Sequence, residues 1–412
     1  MPHTDQDDLD IRDTETSPTA PSAPPTEGHP FAALLPLLVA AVVVVALGLG
    51  VTWFGGASTT AATSGGSVRT ESDATRIPRL QEAAEDLAGT DLPGPVSVSR
   101  LDRDDLVALI QRLSDEDPDP TQTAGYDDLV HLMGVLEPGQ NLASITKDGL
   151  ADQAAGLYDP KSDRLYLVER GGADVTDSTI VHEIVHAIQD RKHPLEDLMK
   201  ANPSDEDAVS AVQSVIEGEA TEVQTRFLQG QGASGILGEL SGSLNQLSNT
   251  QLTLPPYLQR SLEFPYTQGS AFITALRAKG GQAAVDRAFA DPPRTTLAVM
   301  EPERYLSGRD EAVAVSVPAV PEGQRRVVDT TFGASELWAL TNDHSLALAW
   351  HGGRVTVDRA GNRGTLTLRV ATDEPRALAA KLAEVLRSTT VVTVDGNVVT
   401  AVNSATLGTS NG

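Results

Sequence analysis

Two histidines four residues apart, with a glutamate directly after the first, are the most chemically pointed feature of this chain. They stand in Thr179-Ile-Val-His182-Glu183-Ile-Val-His186-Ala-Ile188. On a helix, residues i and i+4 share one face about one turn apart, so both imidazoles can reach a single Zn²⁺. Glu183 lies between them in sequence and can serve as general base toward water at such an ion. The positions flanking this trio from Thr179 to Ile188 are uncharged, as expected of a buried helix carrying a closed site. The chain has no cysteine, which rules out a disulfide-built fold, thiol catalysis and any Cys-ligated metal. A zinc site here must use His and carboxylate ligands.

Catalytic zinc commonly takes three protein ligands and leaves a position for water. The third ligand must come from another segment. Ile216-Glu217-Gly218-Glu219-Ala220-Thr221 offers two carboxylates inside a helical pattern. Val209, Val212, Ile216, Ala220 and Val223 mark one apolar face, with Glu217 at its edge and Glu219 nearer its centre. The wheel leaves both glutamates open. His193 falls on the face of His182 and His186 but about two turns further on, roughly 10 Å, and reads as a surface residue. Gln189 and Asp190 are each placed to orient a ligating imidazole or to cap a neighbouring helix, and Asp190 reads first as a solvated carboxylate.

The order HExxH, then E-G-x-A on a later helix, resembles the gluzincin metallopeptidases, which include thermolysin-like and aminopeptidase-type enzymes. That resemblance implies Glu217 as the third zinc ligand. Pro265-Tyr266-Thr267-Gln268-Gly269 resembles the P-Y-x-x-G segment of the aminopeptidase-type members. It implies a catalytic role for Tyr266, whose hydroxyl would steady the oxyanion of a tetrahedral intermediate. The likeness covers about residues 150–310 and is nearest to bacterial membrane-anchored metallopeptidases with an HExxH…EGxA core. The gap from His186 to Glu217 is longer than in the aminopeptidases, and no exopeptidase recognition signature is present.

The elements that must position these residues follow from periodicity. Helices are expected over 176–192, 205–229 and 267–290, with shorter ones over 102–113 and 125–136. Ala154–Val168 reads as a hairpin turning at Asp159, Pro160 and Ser162. Residues 230–250 read as a loop or loosely held helix. Strands are expected at 345–350, 354–358, 365–371, Val391–Val394 and Val398–Val402, with a helix at 374–387 and a turn at Asp395-Gly396. The fold class is therefore α+β: a zincin-like metallopeptidase core at 76–320 and a small C-terminal αβ module at 325–405.

Ahead of the core, residues 1–30 hold seven acids and one base and read as a disordered, Pro-rich tail. Residues 31–54 contain no charge; as a helix they span roughly 36 Å, enough for one transmembrane crossing. Residues 55–75 form a flexible linker. The lipid bilayer is thus an expected partner, with a single-pass membrane localisation. The short tail and the likeness to envelope peptidases favour an extracytoplasmic catalytic domain. The net charge of -26 argues against a nucleic-acid partner, because phosphate contacts need a basic footprint. The expected function is hydrolysis of a peptide or protein substrate by a zinc-dependent, membrane-anchored peptidase. The competing expectation is a non-catalytic envelope binding or scaffold protein that retains a zincin fold.

Overall fold

The computed structural model describes residues 72–115, 120–142, 144–145, 154–169, 175–202, 204–232 and 254–407. Helix α1 (Asp73–Ala88) ends at Gly89, whose left-handed φ of 67° suits a helix C-cap. Strand β1 (Ser97–Leu101) leads into α2 (Arg103–Asp115) and α3 (Pro120–Met133). The expected hairpin is present as β2 (Gly156–Asp159) and β3 (Arg164–Val168). Its turn is held by the Asp159 carboxylate, which accepts from Lys161 N and Ser162 Oγ. These strands make a small sheet in the order β1-β3-β2, with β1 parallel and β2 antiparallel to β3.

Helix α4 (Asp177–Lys192) lies against that sheet. Thr176 caps its start by accepting from Thr179 N, and Asp177 in the first turn pairs with Arg76 and Arg79 of α1. Tyr158, Leu165 and Leu167 from the sheet pack with Ile180, Val181, Ile184 and Val185. After the short α5 (Leu195–Lys200) comes α6 (Glu206–Gly230), capped by Asp205. It runs through the interior: Ala220, Val223 and Phe227 join the α4 core, while Val212, Val215 and Ile216 join a second core.

That second core is completed by Phe264, Phe272, Ile273 and Leu276 of α7 (Pro256–Ala290). Helix α7 begins earlier than the expected 267, because Pro256 suits a helix's first turn and Tyr257, Leu258 and Phe264 are buried there. It bends at Gly280 and Gly281, the latter at φ 62°. At Gly218 and Gly269 helices α6 and α7 approach backbone to backbone. A Cβ on Gly218 would sit 2.5 Å from Gly269 O and 2.9 Å from Gly269 Cα.

Two short helices, α8 (Thr296–Met300) and α9 (Pro302–Leu306), precede β4 (Arg325–Thr331). Helices α10 (Ala334–Thr341) and α11 (His344–Leu348) follow. A strand expected at 345–350 is thus replaced by α11, since Asp343 caps it by accepting from Ser345 N and Leu346 N. The chain continues through β5 (Trp350–Ala360), β6 (Arg363–Thr372), α12 (Pro375–Val385), β7 (Val391–Asp395) and β8 (Val398–Thr406). These give an antiparallel sheet in the order β4-β5-β6-β8-β7. Gly396, at φ 58°, makes the expected β7–β8 turn. The sheet's apolar face is covered partly by α12 and partly by Leu129, Leu132 and Met133 of α3.

The architecture is thus mixed α+β. The expected tail, the transmembrane helix and residues 55–71 of the expected linker lie outside the described residues, as does most of the 230–250 segment, while residues 73–75 of that linker instead open α1. The membrane localisation is corrected here: among the described residues, no helix is long and apolar enough to cross a membrane. The longest, α6 and α7, carry charges along their length, including Glu217, Glu219, Glu222, Arg260 and Arg277. The single-pass topology read from the sequence is accordingly set aside.

Candidate metal centre

Helix α4 presents His182 and His186 to α6, and α6 returns Glu217 to meet them. His182 Nε2 lies 3.3 Å and His186 Nε2 3.4 Å from the same Glu217 Oε2. The imidazoles stand edge to face, 4.8 Å between centroids. The ligand atoms of all three side chains lie within 4.8 Å of one another, and all three side chains are fully buried. Glu217, rather than Glu219, is the carboxylate brought to the histidines. Two residues apart on a helix, the pair point to different sides. The Gly218–Gly269 crossing turns Glu219 toward α7, where Gln282 Nε2 donates to its Oε1 at 3.0 Å.

The orphaned polar atoms offer a test of whether a metal fits. Both oxygens of Glu183, Nε2 of His186 and Oε1 of Glu217 are buried without a hydrogen-bond partner. Such groups are costly to bury unless something satisfies them. Zinc at about 2.0–2.1 Å from tetrahedral ligands implies ligand separations of about 3.3–3.4 Å. The two His–Glu217 distances match that spacing. The donor set, two imidazoles and a carboxylate, therefore suits a divalent ion.

The electrostatics are those of a dry site. Burial pushes Glu183 up to about 8, helped by Glu217 and opposed by His186. Burial depresses His182 below its ordinary value against the pull of Glu217. At His186 burial acts the same way and is the largest single effect, but the charge and hydrogen bond of Glu217, with Glu183 and Gln189, together outweigh it and lift the group to about 9. Glu217 is raised by burial, yet the two histidines carry it below the usual range.

The remaining candidates are placed as follows. Tyr266 stacks near His182, 6.3 Å between ring centroids. Burial, then the Glu217 and Glu183 charges, push its phenol well above the ordinary value, so it stays a donor. Gln189 Oε1 is 2.8 Å from His186 Nδ1, whereas Asp190 caps α5 by accepting from Leu195 N at 3.0 Å. Asp190 is therefore not the solvated carboxylate expected first: it is half-buried and accepts from both Tyr158 and Leu195. His193 is partly buried, stacked on Phe289 at 4.9 Å, and contributes nothing to the cluster. Gln224, whose Oε1 is 3.2 Å from His182 Nδ1, escaped the sequence reading. Its one signal is a spacing of seven residues from Glu217, which returns to the same helical face.

Comparison with protein-family models, with curated proteins and with solved structures finds no match. What stands is a mixed α+β fold with a buried His/His/Glu group that could hold a metal ion.

Proposed function

We propose that this chain is a zinc-dependent peptidase of gluzincin type, with His182, His186 and Glu217 as the metal ligands. The observation that carries the reading is their convergence on one buried point, with Glu183 and Tyr266 beside it. The small sheet laid against the two-histidine helix, with the third ligand from the next long helix, supports a zincin-like core. When bound, zinc supplies Lewis acidity, which acidifies water and polarises a carbonyl.

The chain's own groups supply the rest. Glu183, with two unpartnered oxygens, accepts a proton from the attacking water and delivers it to the leaving amine. The Tyr266 hydroxyl donates to the oxyanion as it develops. Strand β2 is the edge of the small sheet, and Gly156 on it packs against Glu183: a Cβ there would lie 2.9 Å from Glu183 Cγ.

The test is metal analysis joined to a peptide-library digest. The full chain should hold about one zinc per molecule and cleave peptides in a chelator-sensitive way. Glu183→Gln should keep the metal and lose cleavage. A chain that takes up no zinc under metal-replete conditions would refute the reading. Zinc uptake with no cleavage of any peptide would favour a binding protein that keeps the same centre.

A further inference from the structure

Glu183 is buried, and no hydrogen bond of good geometry holds either of its oxygens. A glutamate side chain has several rotamers, and a general base serves from only one place. Packing must therefore hold it, and the packing comes from β2. A Cβ built on Gly156 would lie 2.9 Å from Glu183 Cγ, 3.4 Å from its Cδ and 3.4 Å from its Oε1. These are the nearest atoms beyond the chain neighbours of Gly156. The φ of Gly156 lies outside the left-handed region, so the backbone there would accept any L-residue. What the glycine supplies is a missing methyl group, and the space so left is taken by Glu183.

Strand β2 is not free to retreat from such a methyl. Gly156 is paired with Leu167 in the antiparallel ladder, and Leu157 and Tyr158 after it are fully buried. Tyr158 packs in the same core as Ile180 and Ile184 of α4. Its hydroxyl lies 3.0 Å from Asp163 Oδ1 and 3.1 Å from Asp190 Oδ2. Asp190 stands on α4, the helix that carries Glu183, so strand and helix are tied together two residues beyond Gly156. Relief must then come from the Glu183 side chain. Carbon atoms in ordinary contact are about 3.5–4.0 Å apart, so the side chain would be pushed by about 1 Å.

We infer that Gly156 is a positioning residue of the site: the bare main chain of β2 is the wall against which Glu183 rests, and it sets where that carboxylate stands relative to His182, His186 and Glu217. This inference rests on reading Glu183 as the base of a metal-dependent peptidase. Gly156 has no side chain to offer the reaction; it acts through Glu183. The first atoms that a methyl group there would meet belong to Glu183 and not to the three metal-binding candidates, so metal uptake and catalysis should respond differently. A misplacement of about 1 Å can cost on the order of 100-fold in rate.

The experiment uses the full chain and three variants: Gly156→Ala, Glu183→Ala and the two together. Glu183→Ala removes the atoms that the new methyl would strike. Zinc is counted by metal analysis, folding is followed by the urea midpoint, and kcat and KM are measured separately on a peptide that the wild type cleaves. Gly156→Ala should keep about one zinc per chain and a KM near that of the wild type, with kcat lower on the order of 100-fold. Its crystal structure should show the Glu183 carboxylate displaced and β2 in place. Added to Glu183→Ala, the same methyl should change neither the urea midpoint nor the zinc content. Wild-type kcat in Gly156→Ala would overturn the inference, as would loss of its zinc, or a displaced β2 beside an unmoved Glu183. Should Gly156→Ala fail to fold, the double variant decides: a folded double variant supports the contact with Glu183, and an unfolded one overturns it. If the wild type cleaves no peptide, the peptidase reading itself falls, while the crystal structure of Gly156→Ala still decides whether β2 places Glu183.

Discussion

The Gly218–Gly269 crossing sets how close Tyr266 comes to His182, and that can be tested by adding one methyl group. In Gly218→Ala the new Cβ would sit 2.5 Å from Gly269 O. Ordinary contact begins near 3.5 Å, so α6 and α7 must part by about 1 Å. Alanine favours a helix over glycine by about 1 kcal/mol, whereas overpacking costs about 1–3 kcal/mol. The net destabilisation should therefore be small, about 0–2 kcal/mol by urea unfolding. The larger effect falls on chemistry. Tyr266 stands three residues, about one turn, before Gly269, so it moves with that part of α7. A misplacement of about 1 Å can cost on the order of 100-fold in rate. Peptide hydrolysis should drop by that order while zinc remains bound. Gly269→Ala, whose Cβ would run into the Ser214 backbone, should behave alike. The double variant should cost less than the sum, because one separation accommodates both methyl groups. Alanine variants with wild-type stability and wild-type rate would refute the claim that this close approach positions the phenol.

Further outcomes follow from other contacts. Tyr266→Phe should keep zinc and lower peptide hydrolysis by about 100–1000-fold, the usual effect of losing one oxyanion donor, in a steady-state assay. Tyr158 offers its hydroxyl to Asp163 at 3.0 Å and Asp190 at 3.1 Å, tying the hairpin turn to the end of α4. Tyr158→Phe should cost about 1–2 kcal/mol in chemical denaturation. Burial, reinforced by the Glu206 charge, pushes Glu336 up to about 7, whereas unfolding returns it to about 4.3. The folded chain then holds the proton more tightly. This contribution to stability is complete below about pH 4.3, is lost as pH rises to about 7, and is level above. Glu336→Gln should flatten that slope, worth at most about 4 kcal/mol, in unfolding measured across pH.

Much of the site was legible in the chain because its logic is local. The i, i+4 spacing of His182 and His186 fixes their relation on any helix, and the uncharged flanks required that helix to be buried. The hairpin from Ala154, the Asp395-Gly396 turn and the antiparallel strands after it were likewise carried by alternation and turn chemistry. Residues 345–350 misled because Leu346 and Leu348 alternate as a strand would, while Asp343 caps a short helix.

What the sequence by itself determined was a pair of histidines spaced to share one metal ion, with a glutamate between them, on a buried helix, in a chain without cysteine. Only the tertiary structure decided between Glu217 and Glu219. A helical wheel ranks faces by hydrophobicity, and α6 is buried on nearly every side, so its faces differ in partner and not in exposure. The glycine contact with α7 settles the rotation of α6, sending Glu217 to the histidines and Glu219 to Gln189 and Gln282. That choice depends on backbone approach between helices about fifty residues apart in sequence, a distance no local pattern spans.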